Sequence, residues 1–333
     1  NLFPCHSEPA DGLSFDLLLN EVPEGMSVVY PASIISDAPS YQIAWALGEY
    51  SYTKLGTTEA GTEIGYWILP DGENNAAQGC ADLVAVFDWY EQTLGPYPFG
   101  ERSGPVSVAW GGGAYGGMEH HPYWHMAKFS MKDAATQAHE AAHGWFGGGV
   151  RIKCWEDFVL SEGTVTYLTA RASGQAIGSD AEADIWDDYA QSLNYILNGH
   201  DGIAWPDSCG EVDILKDGLF SLVPYIKGAY FYRAVAAEIG ADKLDQVLSS
   251  FFVKYVGQAA LMQDMIDHIL SEAGFDASDL AEGWLQSLGV PDKHQEKNLS
   301  LKSYGQSKKT EEILPIPLDQ RTWALLHQKT AVH

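Results

Sequence analysis

The chain has 333 residues, enough for two domains or for one large and one partial domain. With 46% hydrophobic and 12% aromatic residues it can bury a substantial core, which excludes a disordered polymer. A formal charge of −26, from 45 acidic against 19 basic side chains, repels phosphate backbones and excludes a nucleic-acid partner.

The same field favours cationic ligands such as peptide amino groups, although an acidic surface kept for solubility is the main cause of the imbalance. No stretch reaches the roughly 18 apolar residues of a membrane helix. The first residues, Asn1-Leu2-Phe3-Pro4-Cys5, lack the basic and apolar regions of a signal peptide, and a leader already removed would leave no trace. Compartment and oligomeric state are not written in the sequence.

From about residue 13 to 69, polar and apolar positions alternate between turn residues. The alternation predicts strands over Ser14–Leu19, Ser27–Tyr30 and Thr62–Leu69, the last ending at the turn Pro70-Asp71-Gly72. Ala76–Leu94 carries a helical stripe of Leu83, Val84, Val86, Phe87 and Tyr90, and Pro105–Trp110 reads as a short strand. Helical patterns follow over Glu162–Ala172, Ala181–Leu197, Ile226–Ile239, Ala241–Val256, Leu261–Ala273 and Ala277–Leu288. From Pro291 the pattern breaks and basic residues become common; 291–333 is too short for a core of its own and reads as a tail or docking segment. Cys5, Cys80, Cys154 and Cys209 show no C-x-x-C spacing, so no zinc knuckle or redox pair is indicated; disulfides and buried free thiols both remain open.

His139-Glu140-Ala141-Ala142-His143 is the most informative segment. Residues four apart share a helix face, so both imidazoles can meet one metal ion, with Glu140 at its edge to take a proton from water. H-E-x-x-H is an established zinc-peptidase signature, but the same spacing also arises on solvated helices. Here Ala138, Ala141 and Ala142 favour helix, Trp145 and Phe146 read as buried, and Gly147-Gly148-Gly149 predicts a left-handed helix end. Catalytic zinc takes three protein ligands, and Glu162, with eighteen residues between it and His143, can be the third, near the start of the next helix.

Gly116-Gly117-Met118-Glu119-His120 precedes this motif, and Pro224-Tyr225-Ile226-Lys227-Gly228 follows it. Their order and spacing resemble the M1 family of zinc aminopeptidases, the gluzincin group that includes leukotriene A4 hydrolase. Leu2–Pro9 resembles a segment of the family's N-terminal β-domain, Pro96-Tyr97-Pro98-Phe99 the start of its catalytic domain and Trp284–Val290 its close, so the resemblance covers about residues 1–290. It implies an α+β fold: a thermolysin-like catalytic domain over 71–290, a partial antiparallel β-domain over 1–70, and the tail 291–333.

The resemblance also implies roles. His139, His143 and Glu162 would hold one Zn²⁺; Glu140 would be the general base; Tyr225 would donate a hydrogen bond to the oxyanion. Glu119 would bind the free α-amino group of a peptide substrate, and Gly116, Gly117 and Met118 would offer an extended backbone edge. His120 stands where the family usually has asparagine, and the family's other amine-binding residue would precede Asn1. The family's C-terminal helical domain has no counterpart within these 333 residues, and a chain of that length alone is expected to have a more open cleft. Alternatives are therefore a relaxed, endopeptidase-like gluzincin and a non-catalytic zinc-fold binding protein. His120, His121 and His125 are expected to be hydrogen-bonding or surface residues, since neighbours in a strand face opposite ways. Glu156 and Asp157 are expected to be structural or superficial.

Overall fold

Alternating apolar residues near the N-terminus form two small antiparallel pairs. β1 (Gly12–Asp16) and β3 (Ser33–Pro39) make one; β2 (Ser27–Val29) and β4 (Ala46–Gly48) make the other. The computed structural model describes residues 8–110, 116–207, 209, 210, 212 and 221–291. Cys5 and the segments matched at 2–7 and 292–333 lie outside the described residues.

Next come β5 (Ser51–Thr57), β6 (Glu63–Ile68), α1 (Glu73–Gly79) and α2 (Leu83–Leu94). They are followed by β7 (Arg102–Ser103), β8 (Val106–Val108), β9 (Gly117–Met118) and β10 (His125–Ala127). The strands join in one mixed sheet of order β5-β6-β8-β10-β9, with β7 beside β6, so strands from either side of residue 70 share it. Among the described residues β9 lies at the sheet's edge, where Gly117 and Met118 pair antiparallel with Met126 and His125.

The helical part starts with α3 (Ala134–Ala142) and β11 (Arg151–Ile152), then α4 (Phe158–Ala176) and α5 (Ser179–Leu197). It ends with α6 (Leu222–Ile239), α7 (Ala241–Tyr255), β12 (Ala259–Ala260), α8 (Met262–Ala273) and α9 (Ser278–Leu285). Among the described residues no helix is long and apolar enough to cross a membrane.

Three expectations shift. The stripe over 76–94 is two helices, because Gly79 packs its backbone directly against the Met131 carbonyl and the chain turns there. α4 begins at Phe158, so Glu162 sits in its second turn; the helix is buried on nearly every side, which erases the amphipathic signal that would mark its start. The metal-motif helix ends at Ala142 with His143 as its C-cap, and Trp145 and Phe146 form a buried tight turn beyond it. His143 keeps helical dihedrals (φ −60°, ψ −17°), so the shared face with His139 survives, and the left-handed turn falls at Gly147 (φ +103°).

α4 and α6 cross backbone to backbone. A Cβ on Gly163 would lie 2.8 Å from the Gly228 Cα, so only hydrogen at both positions permits this approach. That crossing brings Glu162 of α4 and Tyr225 of α6 to one place. Lys227, fully buried beside it, donates to the Gly202 and Ser287 carbonyls and pairs with Asp201 at 2.8 Å, satisfying a charge that would be costly alone.

Candidate metal and peptide site

α3 is set by its cap and its packing. Asp133 accepts from the Ala135 and Thr136 amides, satisfying donors at the helix start. Buried Tyr90 donates to the Ala138 carbonyl, and Trp124 donates to Gln137. His121 reaches the far end: its Nε2 donates to the Glu140 carbonyl at 2.9 Å, which leaves Nδ1 to accept from the Tyr97 hydroxyl at 2.7 Å. Burial pushes the His121 pKa down to about 3.

That depression has a consequence for stability. An unfolded histidine protonates near pH 6.5 and the folded one near 3, so His121 contributes stability above 6.5 that is lost as pH falls. His121→Gln keeps a donor and an acceptor but cannot titrate. The variant is expected to be less stable than wild type at pH 8, with a deficit smaller by about 2 kcal/mol at pH 5. Urea unfolding at both pH values checks this; a constant deficit would contradict it.

His139 and His143 converge with Glu162. The three ligand atoms form a triangle: His139 Nε2 to His143 Nε2 3.2 Å, His139 Nε2 to Glu162 Oε2 3.1 Å, and His143 Nε2 to Glu162 Oε2 3.3 Å. Tetrahedral zinc with bonds of about 2.0–2.1 Å sets neighbouring ligands about 3.3 Å apart, so the triangle has the size zinc requires. The His143 Nδ1–H donates to the Phe146 carbonyl at 2.9 Å, fixing the tautomer so that the Nε2 lone pair faces the centre.

The electrostatics ask for a cation. Burial opposes charge on His143, but the carboxylates of Glu162, Glu119 and Glu140 outweigh it and push its pKa up to about 10. Burial alone would raise Glu162, yet His143 and His139 draw it down to about 2. On His139 burial wins and the pKa falls. The donor set therefore fits zinc in chemistry, size and charge.

Glu140 is buried at the edge of this triangle. Burial, with Glu119 and Glu162 nearby, raises its pKa well above that of an ordinary carboxyl group. Its carboxylate packs on the bare Cα of Gly117 in β9, where a Cβ would collide with Oε1 and lie 2.6 Å from Cδ. Gly117→Ala should therefore push this flexible carboxylate aside at little cost to the fold. We expect peptide hydrolysis to fall about 100-fold with bound zinc unchanged; an unaffected rate would show that the Glu140 position does not matter.

Tyr225 sits in the first turn of α6, whose Ser221 cap accepts from Val223. Its ring stacks on His139 at 5.9 Å and meets Phe158 edge-on at the same distance. Gly116, Gly117, Met118 and Glu119 lie along the sheet edge facing α3, all part-buried. Thus the elements bring all nine expected site residues into one neighbourhood.

His121 and His125 are buried and His120 part-buried, and all three are hydrogen-bonded, His120 and His125 to each other at 3.2 Å. Among the described residues no second metal cluster stands apart except Cys154, Glu156 and Cys209, where the two sulfurs form a disulfide. Glu156 and Asp157 are buried supports: they accept from the amides of Val212 and Met262. Cys80 is a buried free thiol. One residue near the site carried no sequence signal. Burial, with the charges of Glu119, Glu162 and Glu140 nearby, holds the pKa of the Tyr41 hydroxyl well above that of an ordinary phenol.

Residues 123–284 match the family model described as the Peptidase family M1 domain. Aminopeptidase M1-B of Oryza sativa subsp. japonica is 26% identical over 87% of this chain and 36% of its own length. Leucine aminopeptidase 2 of Aspergillus oryzae is 26% identical over 89% of this chain and 52% of its own length. The chain thus spans about a third to a half of these relatives. Among solved structures, yeast LTA4 hydrolase in complex with bestatin superposes with a TM-score of 0.72 at 20% identity, covering 87% of this chain and 49% of that one. The M1 zinc metallopeptidase from Deinococcus radiodurans superposes at 0.65 with 17% identity, covering 81% and 62%. These likenesses show the fold, an α+β architecture of the thermolysin-like type. Residues 123–284 are thus similar to the peptidase family M1 domain.

Proposed function

We propose that the chain is a zinc metallopeptidase that removes N-terminal residues from peptides. The observation that carries this is the triangle of His139, His143 and Glu162 ligand atoms with the Glu140 carboxylate beside it. The relatives named as aminopeptidases support the reaction class. Bound zinc would supply a Lewis acid that polarises the scissile carbonyl and makes water acidic enough to attack near neutral pH.

The protein's own groups then divide the work. Glu140 takes the proton of the attacking water; its raised pKa makes it a stronger base than an exposed carboxylate, and it returns the proton to the leaving amine. Tyr225, fixed by stacking on His139, donates a hydrogen bond to the developing oxyanion. The free edge of β9 at Gly116, Gly117 and Met118 aligns substrate as an added strand. Glu119 binds the α-ammonium group and so restricts cleavage to the first peptide bond.

The test compares peptides with free and with N-acetylated termini on the zinc-loaded protein. Cleavage of the free peptide alone is expected. Equal cleavage of both, or internal cleavage of the blocked one, would replace this reading with the open, endopeptidase-like alternative.

A further inference from the structure

His121 joins the segment that follows β9 to the far end of the metal helix. Its Nε2–H donates to the Glu140 carbonyl at 2.9 Å, and its Nδ1 accepts from the Tyr97 hydroxyl at 2.7 Å. The Ser103 hydroxyl lies 3.1 Å from the same phenol oxygen and 2.9 Å from the Pro122 carbonyl, so the pair is anchored at its outer end as well. The imidazole is fully buried and packs against Phe99 and Trp124. Burial keeps it neutral, with the donor on one side and the acceptor on the other.

The end of α3 calls for such a donor. Beyond Ala142 the chain tightens: the Gly144 amide bonds three residues back, to Ala141, and the Trp145 amide to Ala142. In a continuing α-helix the amide of residue 144 would serve Glu140. Here the imidazole does. The same short segment also meets the other end of this residue, because the Glu140 carboxylate packs on the bare Cα of Gly117. Residues 117–121 therefore grip Glu140 twice, at its carboxylate and at its carbonyl, and Glu119 lies between the two contacts.

We propose that His121 is a positioning residue for the general base: by capping the Glu140 carbonyl it fixes the backbone from which the Glu140 carboxylate projects, and ties that carboxylate to the segment carrying Glu119. This rests on Glu140 being the base. Glu140 is outside the ligand set, so its place depends on protein contacts alone. A buried carbonyl that loses its donor turns toward another one, and its peptide plane turns with it. A shift of about 1 Å in a reacting group costs up to about 100-fold in rate.

The experiment uses the zinc-loaded full chain as wild type, His121→Phe, His121→Gln and Tyr97→Phe, each also in the Glu140→Gln background. Zinc content and Tm are measured for every variant, and rates are taken well below the lowest Tm. His121→Phe, which fills the space without a donor, should lower kcat about 30-fold with KM within about twofold and one zinc retained. His121→Gln restores an N–H at the position of Nε2 and should recover kcat to within about threefold of wild type. Tyr97→Phe removes the group that orients the ring and should lower kcat about fivefold. It carries the test by itself if His121→Phe does not fold. In the Glu140→Gln background, where no base remains to be placed, none of these substitutions should lower the residual kcat further.

Unchanged kcat in the Tyr97 and His121→Phe variants, or a loss confined to KM, would overturn the role. Equal damage by His121→Gln and His121→Phe would overturn the hydrogen bond as its cause. Equal losses with and without the Glu140 carboxylate would show that His121 acts on the fold at large and not through the base. Wild-type turnover by Glu140→Gln alone would instead overturn the assignment of the base, and with it the role proposed for His121.

Discussion

Glu140→Gln is expected to lower kcat for aminoacyl peptides by about 10³-fold while zinc content and fold are retained. The substitution keeps the shape of the side chain that packs on Gly117, so the edge strand has no reason to move. It removes the only property the chemistry uses, the ability to accept a proton. Stability should not fall: burial, Glu119 and Glu162 all disfavour the Glu140 carboxylate, and a neutral amide escapes that penalty. Substrate affinity should change little, because the amine is held elsewhere. Persistent hydrolysis by a zinc-loaded Glu140→Gln protein would show that another group serves as base.

His143→Ala should abolish stoichiometric zinc binding and with it all measurable turnover. Loss of one of three ligands exceeds the roughly 10–100-fold loss in affinity that follows from disturbing a mere supporting hydrogen bond. It should also destabilise the protein by about 3 kcal/mol, since buried Glu162 loses its 3.3 Å partner and keeps its charge. Glu162→Gln in the same background should recover part of that stability without recovering zinc. Urea unfolding and elemental analysis of the purified variants separate the two effects; full zinc occupancy in His143→Ala would remove His143 from the ligand set.

The metal site was legible because its chemistry is periodic. Two histidines four apart share a face whether the helix ends at Ala142 or at Phe146, so a misplaced helix end does not disturb them. Glu162 and Tyr225 were legible as parts of motifs, and the structure supplies the reason for their glycines: Gly163 and Gly228 are where α4 and α6 touch. The start of α4 was not legible, because a helix buried all round has no polar face to mark its boundary. The strands β3 and β5 escaped for the opposite reason. β5 is mostly exposed, its sequence Ser51-Tyr-Thr-Lys-Leu-Gly-Thr57 carries little apolar alternation, and its pairing with β6 is interrupted by an irregularity near Gly56. Tyr41 could not have been found from local pattern at all. Its nearness to the charge of Glu119 arises across some eighty residues of chain, and nothing in Pro39-Ser40-Tyr41-Gln42 announces it. The Cys154–Cys209 disulfide is likewise a property of tertiary proximity rather than of spacing.

The central claim is that hydrolysis runs on one zinc ion held by His139, His143 and Glu162. Its most direct test is a titration: strip the protein with a chelator, remove the chelator, and follow cleavage of a free N-terminal aminoacyl substrate as zinc is added back. The account predicts no activity before addition and a linear rise that breaks at one zinc per chain. Activity that persists in the stripped protein, or that rises identically in the His143→Ala variant, would contradict it.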